Sequence, residues 1–304
     1  MLSLANFTAS EIRSAVRLGD LRLRIGHFTL KISSILPEFE SALRQLYAHY
    51  PASIKGGAYD YDIDISPPAF MRRWIRRNAL FHLSGDAPFL PMEAGHAHAL
   101  FEWGLNWTIG SYAHNFLILH SAVVELNGCG TLLAASSGSG KSTLAAELSL
   151  QGWRLLSDEL ALIDKDLRLV PCARPVSLKN QSIELIKTRH PEAVLGPPAR
   201  DTHKGTIAHL PAPQSSVARN LETAIPRLII FPKWVADAPL RLEAVGSGQA
   251  ALRLIDQSFN YPILGRQGFE RLADLVESAE AWELEYSSLD EARNTLEQLV
   301  NEHG

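Results

Sequence analysis

Ala135-Ser-Ser-Gly-Ser-Gly-Lys-Ser-Thr143 is the stretch on which the reading of this 304-residue chain turns. The pattern GxxxxGK[ST] describes a loop whose successive backbone N–H groups point inward around phosphate oxygens. Gly138 and Gly140 supply backbone angles and a close approach that side chains would block. Ser136, Ser137, Gly138, Ser139, Gly140, Lys141, Ser142 and Thr143 form the candidate nucleotide-binding set. Lys141 brings a positive charge to the β- and γ-phosphates of ATP, and the Ser142 hydroxyl completes the shell of Mg²⁺. A helix starting at Ser142 aims its N-terminal dipole at the same anion. The first glycine position is occupied by Ala135, which fits a strand end if its φ stays negative. Both flanks support the motif. The apolar Thr131–Ala135 precedes it as a strand, and Leu144, Ala145, Leu148 and Leu150 follow on a helix. A flexible Gly/Ser linker would match neither flank.

Working outward, Phe116–Leu126 is apolar and strand-like, Asn127-Gly128 is a strong hairpin signal, and Gly130–Ala135 returns as the second strand. Downstream, Gly152 caps the helix and Trp153–Ser157 reads as another strand. Asp158 and Glu159 then fall at that strand's carboxyl end, where open α/β sheets bind ligands. Two acids there suit phosphoryl transfer: one takes a proton from an attacking hydroxyl, the other holds Mg²⁺ directly or through water. The plain alternative is a solvated acidic turn.

His120, the Asn-Gly hairpin, Ser-Gly-Ser-Gly-Lys-Ser and Ser157-Asp158-Glu159 together resemble the HPr kinase/phosphorylase family in order and spacing. The "HPr kinase-related kinase A" branch is similar over nearly the whole chain, through Phe101-Glu-Trp-Gly-Leu-Asn-Trp107, Arg174-Pro-Val-Ser-Leu-Lys179 and Lys204-Gly-Thr-Ile-Ala-His209. The core-family likeness is specific from about His120 to Ile163. The resemblance implies an α/β fold shared with phosphoenolpyruvate carboxykinase and an ATP-dependent kinase acting on a serine of a small protein or peptide. It makes Lys141 and Ser142 ligands of phosphate and Mg²⁺, and Asp158 the general base. Glu159 stands where the core family has a second Asp, one methylene longer, as a metal ligand. His120 matches a histidine close to the acidic pair, with a satisfied half-buried histidine as the alternative. The family's signature loop is not recognisable after Val170, so phosphorylase activity is not implied. Its usual N-terminal domain is not evident either, and a homo-oligomer is left open.

In place of that signature stand Arg174, Lys179 and Lys204, cations of the kind that stabilise charge on a transferring phosphoryl group. Arg174 is the candidate catalytic member. A helix near Ser182–Lys187 and a Pro/Gly-rich loop over Gly196–Gly205 follow, the loop read as a segment able to close over substrate. Strands are expected at Leu228–Phe231, Leu240–Ala244 and Trp282–Tyr286. Helices are expected at Gly248–Phe259 and Gly268–Ala279, and a final one is opened by a Ser288/Glu291 capping box.

The first 113 residues read as a smaller mixed α+β module, and residues 114–304 as the P-loop kinase domain. Leu21–Ser33 reads as a strand and a helix follows Pro37. Tyr59–Ile65 alternates as a half-buried strand with Asp60, Asp62 and Asp64 on one side. The basic run Arg72–Arg77 is expected to face that acidic row. His96 and His98, two apart on a helix, point to different faces and argue against a shared metal. A net charge of −4 argues against nucleic acid as the main partner. No apolar stretch approaches a membrane span, and Met1–Asp20 lacks the pattern of a signal peptide. Cys129 and Cys172 read as small apolar residues of a reducing cytoplasm. Two further functions share the motif: a small-molecule kinase, or an ATP-binding regulator that transfers nothing.

Overall fold

The computed structural model describes residues 1–68, 77–136 and 138–302. Ser137 of the phosphate loop and most of the basic run, Arg72 to Arg76, lie outside them. The chain divides into two compact units, Met1–Thr108 with Ser177–Ala218 and Ile109–Val176 with Arg219–Gly304. A single cut near residue 113 differs from this division, because Ser177–Ala218 groups with the first unit. The backbone gives the reason. Val176–Lys179, Gly205–Leu210 and Ala199–Thr202 pair as a sheet of their own instead of extending the sheet that carries the loop. The expected loop over Gly196–Gly205 is accordingly half strand, turning at Gly205 (φ 83°).

In the first unit, seven strands pair among the described residues, in the order Leu2–Ser3, Pro51–Ser53, Leu21–Ile25, Phe28–Ser34, Tyr61–Ser66, Asn78–Leu83, Met92–Glu93. The stretch expected as one strand over Leu21–Ser33 is a hairpin, because Gly26 at φ 56° allows Ile25 to pair with Phe28. The expected pairing of the acidic row with Arg72–Arg76 falls outside the described residues; within them, the row has partners on a neighbouring strand. Asp62 accepts from Lys31 Nζ at 2.7 Å and Asp64 from Ser33 Oγ at 2.9 Å, both from the parallel neighbour. Arg77, the described member of the basic run, pairs instead with Glu38 at 2.8 Å. Helix Ala97–Tyr112 brings Phe101 edge-on to Phe39 at 5.4 Å and lets Glu102 accept from the Tyr47 hydroxyl.

His98 on that helix is buried. Desolvation drives its pKa from 6.5 down to about 4, against a hydrogen bond to the Pro197 backbone. The folded state thus prefers neutral His98. The stability this contributes, about 3 kcal/mol, is fully present above the unfolded pKa and is lost as pH falls through the folded one. Urea unfolding at pH 7 and pH 4 should show the loss, and His98→Leu should remove about that much of it. Unchanged acid sensitivity in the variant would contradict the assignment.

The second unit is a twisted α/β layer. Among the described residues, six strands pair in the order Arg154–Ser157, Ser121–Leu126, Cys129–Ala134, Ile225–Trp234, Glu280–Tyr286, Arg241–Ala244. Cys129–Ala134, Ile225–Trp234 and Glu280–Tyr286 run parallel, and Ser121–Leu126 is antiparallel to both its neighbours. The hairpin turns at Asn127 (φ 53°) and Gly128 (φ 82°), as the Asn-Gly pair demands. The Gly128 N–H donates to the Glu125 carboxylate at 2.7 Å. Leu132, Ile229 and Phe231 on one sheet face pack against Leu254, Leu272 and Leu275 of helices Ser247–Asp256 and Arg266–Ser278. Helices Lys141–Leu150 and Leu289–Glu302 pack on the strands and on each other outside that cluster, which puts them on the opposite face. The strand directions leave one edge where four carboxyl ends open together, the place where α/β sheets take ligands.

Candidate functional site

Strand order fixes what stands along that edge. Asp158 follows Arg154–Ser157, His120 precedes Ser121–Leu126, and the phosphate loop follows Cys129–Ala134. Beyond the loop, Trp234 and Tyr286 close their own strands. The pairing of Ala134 with Ser121 sets the loop beside His120.

Two glycines of the candidate loop take backbone angles that favour glycine. Gly138 and Gly140 sit at φ 91° and 90°, and the Ser139 N–H donates back to the Ser136 carbonyl at 3.4 Å. Gly140 is the N-cap of Lys141–Leu150 and brings no capping side chain. A helix N-terminus whose N-cap brings no side chain suits an anionic ligand such as phosphate. Two contacts from the far side brace the loop. The Trp234 N–H donates to the Ser139 carbonyl at 3.0 Å, and the Tyr286 hydroxyl donates to the Gly140 carbonyl at 3.4 Å.

That bracing leaves no room at Gly140. A Cβ there would lie 2.7 Å from the Tyr286 oxygen and 3.0 Å from the Trp234 Cβ, at a φ that L-residues avoid. Gly140→Ala is expected to keep the circular dichroism of the fold and to weaken binding of Mg²⁺-ATP at least about tenfold, from strain of about 1–3 kcal/mol at the loop. Calorimetric titration checks this, and wild-type affinity would contradict it.

Lys141 is 6% exposed, and its Nζ donates to the His120 carbonyl at 3.4 Å. The ring of the same histidine reaches the other way, with His120 Nε2 3.0 Å from Glu159 Oε2. The cation of the loop and one of the two acids are thus tied to a single residue. His120 is itself held in place: its N–H donates to the Gln257 carbonyl at 2.7 Å, and the Phe259 ring lies 5.8 Å from its own. The turn carrying the acids is closed by Leu160, whose N–H donates to Ser157 Oγ at 3.0 Å. Asp158 is buried within that turn, whereas Glu159 keeps about a fifth of its side chain in solvent.

The remaining cations belong to different units. Arg174 is buried in the same unit as the loop. Lys179 and Lys204 belong to the first unit, where Lys204 Nζ lies 5.8 Å from the centre of the Trp103 ring. Among the described residues, no group of three or more His, Cys, Asp and Glu could cage a metal. Mg²⁺ bound through a triphosphate needs no such cage, because phosphates and waters fill most of its six positions. A Ser142 hydroxyl and one carboxylate suffice, so the residues present fit that ion.

Sequence reading missed Trp234, Tyr286, Gln257 and Phe259. The first two reach the loop through parallel strand pairing, and the others reach His120 from the segment after Ser247–Asp256, none of which leaves a local motif.

No family model matches the chain. HPr kinase/phosphorylases from two strains of Limosilactobacillus reuteri are each 29% identical to it over 192 residues, 61% of this chain and 53% of theirs. The chain therefore spans about half the length of the curated relatives it matches. The solved HPr(Ser) kinase/phosphatase from Coxiella burnetii aligns with 13% identity and a TM-score of 0.26, covering 61% of this chain and 95% of that one. Among the described residues no helix is long and apolar enough to cross a membrane.

Proposed function

We propose that this chain is a phosphotransferase that moves the γ-phosphoryl group of ATP to a hydroxyl, that of a serine, on a small protein or peptide. The observation that carries the reading is the double tie at His120: its carbonyl receives Lys141 Nζ and its ring engages Glu159. A cation suited to the β- and γ-phosphates and a carboxylate suited to the metal thereby address one small volume. Similarity to HPr kinase/phosphorylases supports the choice of a protein acceptor. A non-catalytic ATP-binding regulator would need the loop and Lys141 but no acids beside them.

Each residue has a definite task in this reading. The loop N–H groups and Lys141 hold the phosphates and offset their charge. Mg²⁺, when bound, would supply positive charge to offset that of the phosphates. Ser142 and Glu159 would hold it, with the His120 ring orienting Glu159. Asp158 takes the proton as the acceptor oxygen bonds to the γ-phosphorus and ADP departs with the electron pair of the broken P–O bond.

The test is γ-labelled ATP added to extract of the native host, with wild-type protein and with Asp158→Asn. A labelled protein carrying phosphoserine, seen with wild type and lost with the variant, supports the reading. Label only on small molecules would transfer it to a small-molecule kinase. ATP binding without any labelled product would favour the regulator.

A further inference from the structure

Trp234 ends its strand on the flank of the phosphate loop away from the acids, and it is 47% exposed. Half-open tryptophans on surfaces are commonly loose, but this one is fixed at both ends. Its main-chain N–H donates to the Ser139 carbonyl at 3.0 Å, and its Nε1–H donates to the Ser287 carbonyl at 3.2 Å. The Cβ is pressed against the loop at Gly140. A large ring held this way loses little freedom when something lies on it, which makes it a preformed platform.

The order of groups along the sheet edge says what lies there. It runs Asp158, His120, phosphate loop, Trp234, Tyr286. A triphosphate whose terminal phosphorus faces Asp158 and Glu159 must cross the loop and leave its nucleoside on the opposite flank. We infer that Trp234 is the base-binding residue, and that the purine of the nucleotide stacks on its indole. The assignment rests on the nucleotide reading given above and adds to it a direction for the bound ligand. Stacking on an aromatic side chain needs no hydrogen-bond code, because every base offers a flat π face.

The test separates base from phosphates. Calorimetry on the full chain would compare Mg²⁺-ATP with Mg²⁺-tripolyphosphate for wild type, Trp234→Ala and Trp234→Phe. Both variants keep the backbone donor to Ser139, and both lose the Nε1 donor, so only the alanine variant loses the aromatic face. The expected result is an ATP affinity about tenfold weaker in Trp234→Ala, within about threefold of wild type in Trp234→Phe, and unchanged tripolyphosphate binding in both. Equal losses for ATP and tripolyphosphate would overturn the proposal, since the ring would then merely support the loop. Undiminished ATP binding in Trp234→Ala would overturn it while leaving the nucleotide reading intact. Wild-type protein that binds neither ligand would overturn the nucleotide reading and this assignment together.

Discussion

Lys141→Ala is expected to lower phosphoryl transfer from ATP by about 10²–10³-fold, and to weaken Mg²⁺-ATP binding with it. The side chain is 6% exposed, opens the helix Lys141–Leu150 and points its Nζ at the His120 carbonyl. A charge in so dry a place acts far more strongly than one in water. Loss of that charge leaves the γ-phosphate to the loop amides and the metal alone. Because alanine favours helix, the first turn should persist. Circular dichroism should be unchanged while steady-state transfer and calorimetric binding both fall. Full transfer in this variant would contradict the assignment of the loop.

Asp158→Asn is expected to separate binding from chemistry. Asparagine preserves shape but has no basic oxygen, so the acceptor hydroxyl would lose its proton sink, at a cost of about 10²–10⁴-fold in transfer. Mg²⁺-ATP affinity should stay within a few-fold of wild type, because Lys141, Ser142 and Glu159 remain. The turn should also hold, since it is closed by Ser157 Oγ and the Leu160 N–H rather than by the Asp158 side chain alone. Transfer that survives the change would show that Asp158 is not the base. Equal losses in binding and transfer would instead assign it to the metal.

What was legible in the sequence is what is local. Asn127-Gly128 dictates its own turn, and the hairpin delivers Cys129–Ala134 into the loop within a few residues. Gly138 and Gly140 take the positive φ expected of the candidate phosphate loop, and Lys141 opens the helix after it. Gly152 returns the chain, and Asp158 and Glu159 arrive two strands over, with Ser121–Leu126 between. Every step spans fewer residues than a βαβ unit, so spacing alone conveys geometry. What stayed hidden depends on pairings across long stretches of chain. Tyr286 braces Gly140 only because Ile225–Trp234 runs beside Cys129–Ala134 and Glu280–Tyr286 beside Ile225–Trp234.

The same reasoning covers the first unit. Asp62 and Asp64 take Lys31 and Ser33 from a strand about thirty residues earlier, partners that the sequence reading did not foresee. A parallel neighbour of this kind leaves no short-range signal. Lys204 lies by Trp103, on a hairpin where Pro and Gly composition suggested loop. Composition reports solvent preference and turn content; it does not report which strand a short segment will pair with.

The most direct test of the account is a crystal structure with Mg²⁺ and a non-hydrolysable ATP analogue. The account predicts the terminal phosphate against Lys141 Nζ, the Asp158 and Glu159 carboxylates on its outer side, and the base over Trp234. A nucleotide bound with its terminal phosphate directed away from Asp158, or outside the Ser136–Thr143 loop altogether, would contradict it.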